Sequence, residues 1–136
     1  MPFDKLIRAN SIDTIMISHA FDKKLDPNLP ASLSNKIVSG LLKEDLGFEG
    51  VIVCDDPSMR AISDHYSMEE TFELMLNAGI DLFCLGNNLT YNKNYIPKAI
   101  RTIANLIDCG KIKKNRILNS VKKIQKLKSL YNIDEK

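Results

Sequence analysis

Two periods of hydrophobicity alternate along this chain. Three short apolar runs stand out: Thr14-Ile-Met-Ile-Ser18, Val51-Ile-Val-Cys54 and Asp81-Leu-Phe-Cys-Leu85. Each is nearly continuous in hydrophobic character and rich in β-branched or aromatic residues, the pattern of a parallel strand covered on both faces. Between and around them apolar residues recur at helical spacing. From Ser34 to Leu46 the positions Ile37, Val38, Leu41 and Leu42 share a face, with Ser34 as N-cap and Gly47 just past the end. From Ser67 to Ala78 the opening Ser67-Met-Glu-Glu70 is a capping-box pattern, and Gly79 stops the helix. Tyr95 to Cys109 runs through Ile100, Ile103, Leu106 and Ile107 before Gly110. Asn115 to Tyr131 is amphipathic along Ile117, Val121, Ile124 and Leu127, and Phe3 to Ala9 reads as a short opening helix.

The order is therefore α-β-α-β-α-β-α-α. The strands begin at positions 14, 51 and 81, so they are 37 and 30 residues apart, and a βα unit takes about 30 or more. Strict alternation predicts a parallel α/β architecture. Three strands are fewer than the eight of a closed barrel. A sheet this small leaves two apolar edges exposed, so the pattern reads as part of a larger design.

Composition narrows the function classes. The 136 residues suit one domain, 44% hydrophobic and 26% charged, with a net charge of only +2. That balance gives no electrostatic case for a nucleic-acid partner. The basic run from Lys111 to Lys128 reads as the wet face of a helix. Cys54, Cys84 and Cys109 are odd in number and lack CxxC spacing, which argues against a disulfide framework or a zinc site. Cys54 and Cys84 lie in apolar runs and are expected as buried thiols in a reducing compartment. The opening residues are no signal peptide, and no apolar run approaches the ~20 residues of a membrane span. A cytoplasmic location without a membrane partner follows as the expectation; if the chain is a fragment, an export signal would belong to the missing part.

Parallel α/β proteins place chemistry at the C-terminal ends of their strands. Ser18-His19 follows the first run, Asp55-Asp56 the second, and Gly86-Asn-Asn88 the third. An aspartate directly after a buried strand serves as nucleophile, metal ligand or loop cap. One carboxylate can cap the turn at Pro57-Ser-Met-Arg60 while the other does chemistry, because adjacent residues point different ways. His19 ends its strand either as a structural hydrogen-bonder or as a catalyst, and His65 reads as structural. Two histidines without carboxylates at ligand spacing make no metal site. No Walker loop, GxGxxG or GxSxG motif is present, and no cofactor is implied. The proline-punctuated loop Leu25-Asp-Pro-Asn-Leu-Pro-Ala31 is long enough to form a rim over a strand-end site.

Several of these segments together resemble family 3 glycoside hydrolases. Ile17-Ser-His19, Leu25-Asp-Pro27 and Pro30-Ala-Ser-Leu-Ser34 are similar to that family's sixth strand and following loop. Gly40-Leu-Leu-Lys-Glu-Asp-Leu-Gly-Phe-Glu-Gly-Val-Ile-Val-Cys-Asp-Asp56 resembles its signature of a helix, Leu-Gly-Phe-x-Gly, a buried strand and Ser-Asp-Asp. Ser58-Met59, Ala61-Ile62, Ala78-Gly-Ile-Asp81 and Ser120-Val-Lys-Lys-Ile124 extend the likeness over nearly the whole chain. The branch it looks most like is the β-N-acetylhexosaminidases of peptidoglycan recycling, with β-glucosidases next.

The resemblance implies the C-terminal portion of a (β/α)8 TIM barrel over residues 1–136, holding about three βα units and a C-terminal helix. It implies retaining hydrolysis of a β-linked sugar, with Asp55 as nucleophile. His19, Met59 and Asp56 would line the sugar subsite. The chain departs from the family at Cys54, usually Ser, and at Pro57, usually Leu. The family's Lys-His sugar-binding segment and its acid/base loop have no counterpart here, so the chain alone is expected to be inactive or nearly so. A separately encoded N-terminal half-barrel would complete it. Self-association would supply only six strands. The other readings are a non-catalytic remnant and a carbohydrate-binding half-barrel.

Overall fold

A computed structural model describes residues 2–86 and 91–133. Helix α1 (Pro2–Arg8) leads into β1 (Thr14–Ile17), a single 3-10 turn (Ala31–Leu33) and a π-type helix (Lys36–Asp45). Then come β2 (Val51–Cys54), the short α2 (Arg60–Ser63), α3 (Met68–Ala78), β3 (Leu82–Phe83), α4 (Tyr95–Asp108) and α5 (Lys114–Leu130). The strands form one parallel sheet in chain order, with Met16 opposite Val53 and Val53 opposite Leu82.

Side chains alternate across this sheet. Ile15, Ile52 and Cys54 face the helices and join Val38, Leu42, Met75 and Ala78 in one buried cluster. The cross-strand row Met16, Val53 and Leu82 lies on the opposite face, where Met16 is 60% and Leu82 43% exposed. A second cluster joins α3 to α4 through Phe72, Leu76, Ala99, Leu106 and Ile112, and Ile117 of α5 packs against it. Phe72 meets Phe83 edge-on at 5.1 Å between ring centroids, tying α3 to β3.

The helix after β1 departs from the α-helix expected there. Ser34 does cap it, its hydroxyl accepting from the Ile37 N–H at 3.2 Å. The winding then widens, and the Leu46 N–H reaches the Leu41 carbonyl five residues back at 3.0 Å. Ile37, Val38 and Gly40 are weak α-formers within it. Gly47, at φ 72°, makes the left-handed exit, and the Phe48 N–H returns to Leu42. Gly50 is a glycine for a different reason: a Cβ there would stand 2.3 Å from the Asp13 carbonyl oxygen. That close approach brings the starts of β1 and β2 together.

β3 is shorter than its apolar run. Asp81 precedes the strand, and its buried carboxylate accepts from the Ile52 N–H at 3.2 Å, from Ser120 Oγ at 2.5 Å and from Arg116 Nη1 at 3.2 Å. Arg116 also donates to Ser120, to the Leu76 carbonyl and to the Ile80 carbonyl. Lys123 Nζ donates to the Gly50 carbonyl at 3.1 Å and lies 3.6 Å from Asp81. Two cations of the expected wet face are thus turned inward, and they hold α5 against the N-terminal ends of β2 and β3. Cys84 also differs from expectation. Cys54 is buried, but Cys84, whose N–H still reaches the Cys54 carbonyl at 3.4 Å, alternates onto the open face with Leu82 and is exposed.

Candidate active site

The residues singled out by sequence gather at the C-terminal ends of β1 and β2. The Asp55 N–H continues the ladder to the Ile17 carbonyl at 3.1 Å. By alternation Asp55 then shares a face with Val51 and Val53, the face opposite the helix-covered core. Asp55 is half-buried, and its Oδ1 accepts from the Asp56 N–H at 2.8 Å. Oδ2 has no hydrogen-bond or ion-pair partner among the described residues.

Asp56 is employed differently. It is 6% exposed, and Oδ1 accepts from the Ser58 N–H at 2.9 Å while Oδ2 accepts from the Gly86 N–H at 3.1 Å. Its carbonyl accepts from the Met59 N–H at 3.0 Å. Of the two roles weighed for the pair, turn-capping therefore falls to Asp56. The turn's hydrogen bonds use Ser58 and Met59 and bypass Pro57, so the N–H that proline lacks is not missed. Cys54 points to the helix side, away from Asp55, and burial pushes its thiol up to about 12.

His19 bridges the two strand ends. Nε2 lies 2.9 Å from the Asp56 carbonyl oxygen and Nδ1 2.7 Å from Ser32 Oγ. A carbonyl only accepts, so Nε2 carries the hydrogen. Ser32 is fully buried in the 3-10 turn. The loop before it is pinned by Asp26, whose carboxylate takes the N–H groups of Asn28 and Leu29 and the Ser34 hydroxyl. Those bonds, the Ser34 hydroxyl first, hold the Asp26 carboxyl below its ordinary value. Met59 is half-buried at the N-cap of α2.

Sequence reasoning gave Ser32 and Tyr95 no role at this site; Gly86, named there only within the third strand-end turn, donates its N–H to Asp56. Tyr95 opens α4; burial first, then the Asp56 charge, raises its phenol, against a hydrogen bond with Ser58. Nothing local in the chain marks Ser32 or Tyr95, because their partners are distant in sequence. Asn87 and Asn88 of the third strand-end turn lie outside the described residues. His65 is exposed on the turn after α2. No cluster of three or more potential metal-ligating side chains occurs among the described residues.

Two hollows lie outside the site. One of about 290 Å³ lies among Pro57, Ser58, Tyr66, Met68, Phe72 and Tyr95. The other, about 450 Å³, sits by Asp13, Gly50 and Val51 at the opposite end of the strands. Neither is lined by Asp55, His19 or Met59. Asp55 stands on an open surface.

A small parallel sheet covered by helices, with a carboxylate at the carboxyl end of its central strand, defines a segment of an α/β domain. Residues 1–127 match the profile of the glycosyl hydrolase family 3 N terminal domain, and the chain belongs to that family. It is 28% identical to the beta-hexosaminidase A of Pseudoalteromonas piscicida, over 95% of this chain and 24% of that one. The beta-N-acetylglucosaminidase of Thermotoga maritima is 34% identical, with a TM-score of 0.83 over 92% of this chain and 27% of its own. A family 3 beta-N-acetylglucosaminidase from Paenibacillus sp. str. FPU-7 is 31% identical, with a TM-score of 0.88 over 99% of this chain and 25% of its own. The chain spans about a quarter of the length of these relatives.

Proposed function

We propose that this chain is the C-terminal portion of a (β/α)8 catalytic barrel that hydrolyses β-N-acetylglucosaminides with retention of configuration, the cell-wall peptidoglycan sugars being its substrate class. The observation that carries this reading is the unengaged Oδ2 of Asp55 beside a fully employed Asp56. The relatives named as β-hexosaminidases support the sugar.

In this reading the Asp55 carboxylate attacks the anomeric carbon. The bond from that carbon to the leaving oxygen breaks, and the oxygen takes a proton from an acid. Water then attacks the glycosyl ester, loses its proton to the same group and frees Asp55. The acid/base group belongs to the parts of a family 3 domain that this chain does not span, so the chain alone does not turn over alkyl glycosides. His19, Asp56 and Met59 border the sugar subsite. His19 and Asp56 act there mainly by fixing the Asp55 backbone.

A covalent chimera tests this. Residues 1–136 replace the matching segment of the Thermotoga maritima enzyme, and release of an aryl group from an aryl N-acetyl-β-glucosaminide is followed. Hydrolysis is expected, and Asp55→Asn should lower kcat on the order of 10³-fold or more. A chimera whose activity survives Asp55→Asn undiminished would remove Asp55 from the chemistry.

A further inference from the structure

Next to the turn that Asp56 caps, the chain leaves a hollow of about 290 Å³. The turn after β2 supplies Pro57 and Ser58 to its wall, α3 supplies Met68, Thr71 and Phe72, and Tyr95 comes from the start of α4. Pro57, Thr71 and Phe72 are buried, whereas Ser63 and Ser67 are exposed, so the hollow deepens from a hydroxyl rim to an apolar floor. Every lining side chain is uncharged at neutral pH. The hydroxyls are nearly all spent within the chain. Ser63 Oγ donates to the Ser58 carbonyl at 3.2 Å, and Thr71 Oγ1 donates to the Ser67 carbonyl at 2.8 Å. Ser67 Oγ accepts from the Glu70 N–H at 3.2 Å, and the Ser58 and Tyr95 hydroxyls bond to each other. Of the lining side chains only Tyr66, half-buried, has a polar group without a hydrogen-bond partner among the described residues.

We propose that this hollow is a binding site for a neutral aromatic molecule of two fused rings with a single hydrogen-bonding group, the indole class. Charge excludes ions: a charged ligand would lose its water against walls that offer no counter-ion. Size sets the ring count. An apolar cavity of about 150 Å³ holds benzene, so about 290 Å³ holds two fused rings. The rings of Tyr66, Phe72 and Tyr95 offer aromatic contact, and the Met68 thioether adapts to a ring edge. Polarity sets the last requirement. One hydroxyl, that of Tyr66, is open, and an indole N–H donates to its oxygen. A sugar carries several hydroxyls, and most of them would be buried there unpaired. The site goes beyond the hydrolase reading and does not rest on it, because neither Asp55, His19 nor Met59 lines it.

The probe is indole itself, titrated into the intact 136-residue chain. The chain contains no tryptophan, so indole emission is read without a protein background. A saturable blue shift is expected, with one indole per chain and a dissociation constant on the order of 0.1 mM. Indole-3-acetate adds a negative charge and should bind about tenfold more weakly or worse. Met68→Glu puts a carboxylate into the wall at the first turn of α3, where helices accept acidic residues. It should weaken indole roughly tenfold or more. Tyr66→Phe keeps the ring, drops only the hydroxyl and should weaken indole about 3–10-fold. Thermal melts check that both variants fold. Absence of a saturable shift overturns the proposal, as does equal affinity for indole and indole-3-acetate. Binding untouched by a folded Met68→Glu places the ligand elsewhere and overturns it too; should that variant fail to fold, Tyr66→Phe decides in its place. No glycoside enters the experiment, so its outcome is separate from that of the covalent chimera.

Discussion

His19 Nε2 donates to the main-chain carbonyl of Asp56 at 2.9 Å, fastening the end of β1 to the turn after β2. With that nitrogen committed as donor, Nδ1 pairs with the Ser32 hydroxyl at 2.7 Å. The three groups form a brace beside Asp55. His19→Ala is expected to cost about 1–2 kcal/mol of stability, and Ser32→Ala about 1 kcal/mol. In the covalent chimera His19→Ala should lower kcat more than it raises KM, and His19→Gln should recover part of the loss by restoring a side-chain N–H. A His19→Ala chimera that changes only KM would place His19 in direct sugar contact instead.

The three thiols should separate by reactivity. Cys54 is buried and pushed up to about 12, while Cys84 and Cys109 are exposed. Only a thiolate attacks an aromatic disulfide reagent. At pH 8 the native chain is expected to release the signal of Cys84 and Cys109 promptly and that of Cys54 only on unfolding. Peptide mapping of the labelled chain identifies each. Prompt labelling at Cys54 would mean that the carboxyl end of β2 is open on its helix side.

Acid should loosen the loop after β1. The Asp26 carboxyl is held below its ordinary value of 3.8 by the Ser34 hydroxyl and by the N–H groups of Asn28 and Leu29. A group depressed in the folded state stabilises fully above the unfolded value and loses that contribution as pH falls through the folded one. Asp26→Asn should therefore cost about 2 kcal/mol near pH 7 and progressively less below pH 3.8. Urea midpoints of both proteins at pH 7 and in acid measure the difference. A gap that widens in acid would reverse the assignment.

The buried clamp on α5 should be the costliest site to break. Asp81→Ala leaves Arg116 without its carboxylate and removes an acceptor from the Ile52 N–H, so a loss of about 3–5 kcal/mol is expected. Arg116→Met alone leaves a carboxylate whose side chain is 1% exposed with Lys123, at 3.6 Å, as its counter-ion. The double variant Asp81→Leu with Arg116→Met should lose less than the sum of the singles. Urea unfolding of the four proteins completes the cycle; strict additivity would mean that the pair does not interact.

Much of this architecture was legible in the chain. The apolar runs at 14–18 and 51–54 became Thr14–Ile17 and Val51–Cys54, and the capping box at Ser67 formed with both its hydrogen bonds. These signals are local, so local reasoning finds them. The third run misled at both ends. Asp81 looked like the start of a strand but is diverted to Ser120 and Arg116, residues 39 and 35 positions later. The exposure of Cys84 follows from the face it takes, beside the exposed Leu82. At the site, the division of labour between Asp55 and Asp56 required coordinates, since it turns on Gly86 and Ser58 as donors to one carboxylate and not the other. The His19–Ser32 contact spans 13 residues through a 3-10 turn that no periodicity announces.

Asp55 sharing a face with Met16, Val53 and Leu82 has a chemical consequence. A carboxylate on an open sheet is hydrated, and water blunts its nucleophilicity and its fields alike. Lay an apolar cover over that row and the local dielectric falls around Asp55 Oδ2, which has no partner among the described residues. In the hydrolase reading proposed above, the potency of Asp55 therefore depends on how much water reaches that face.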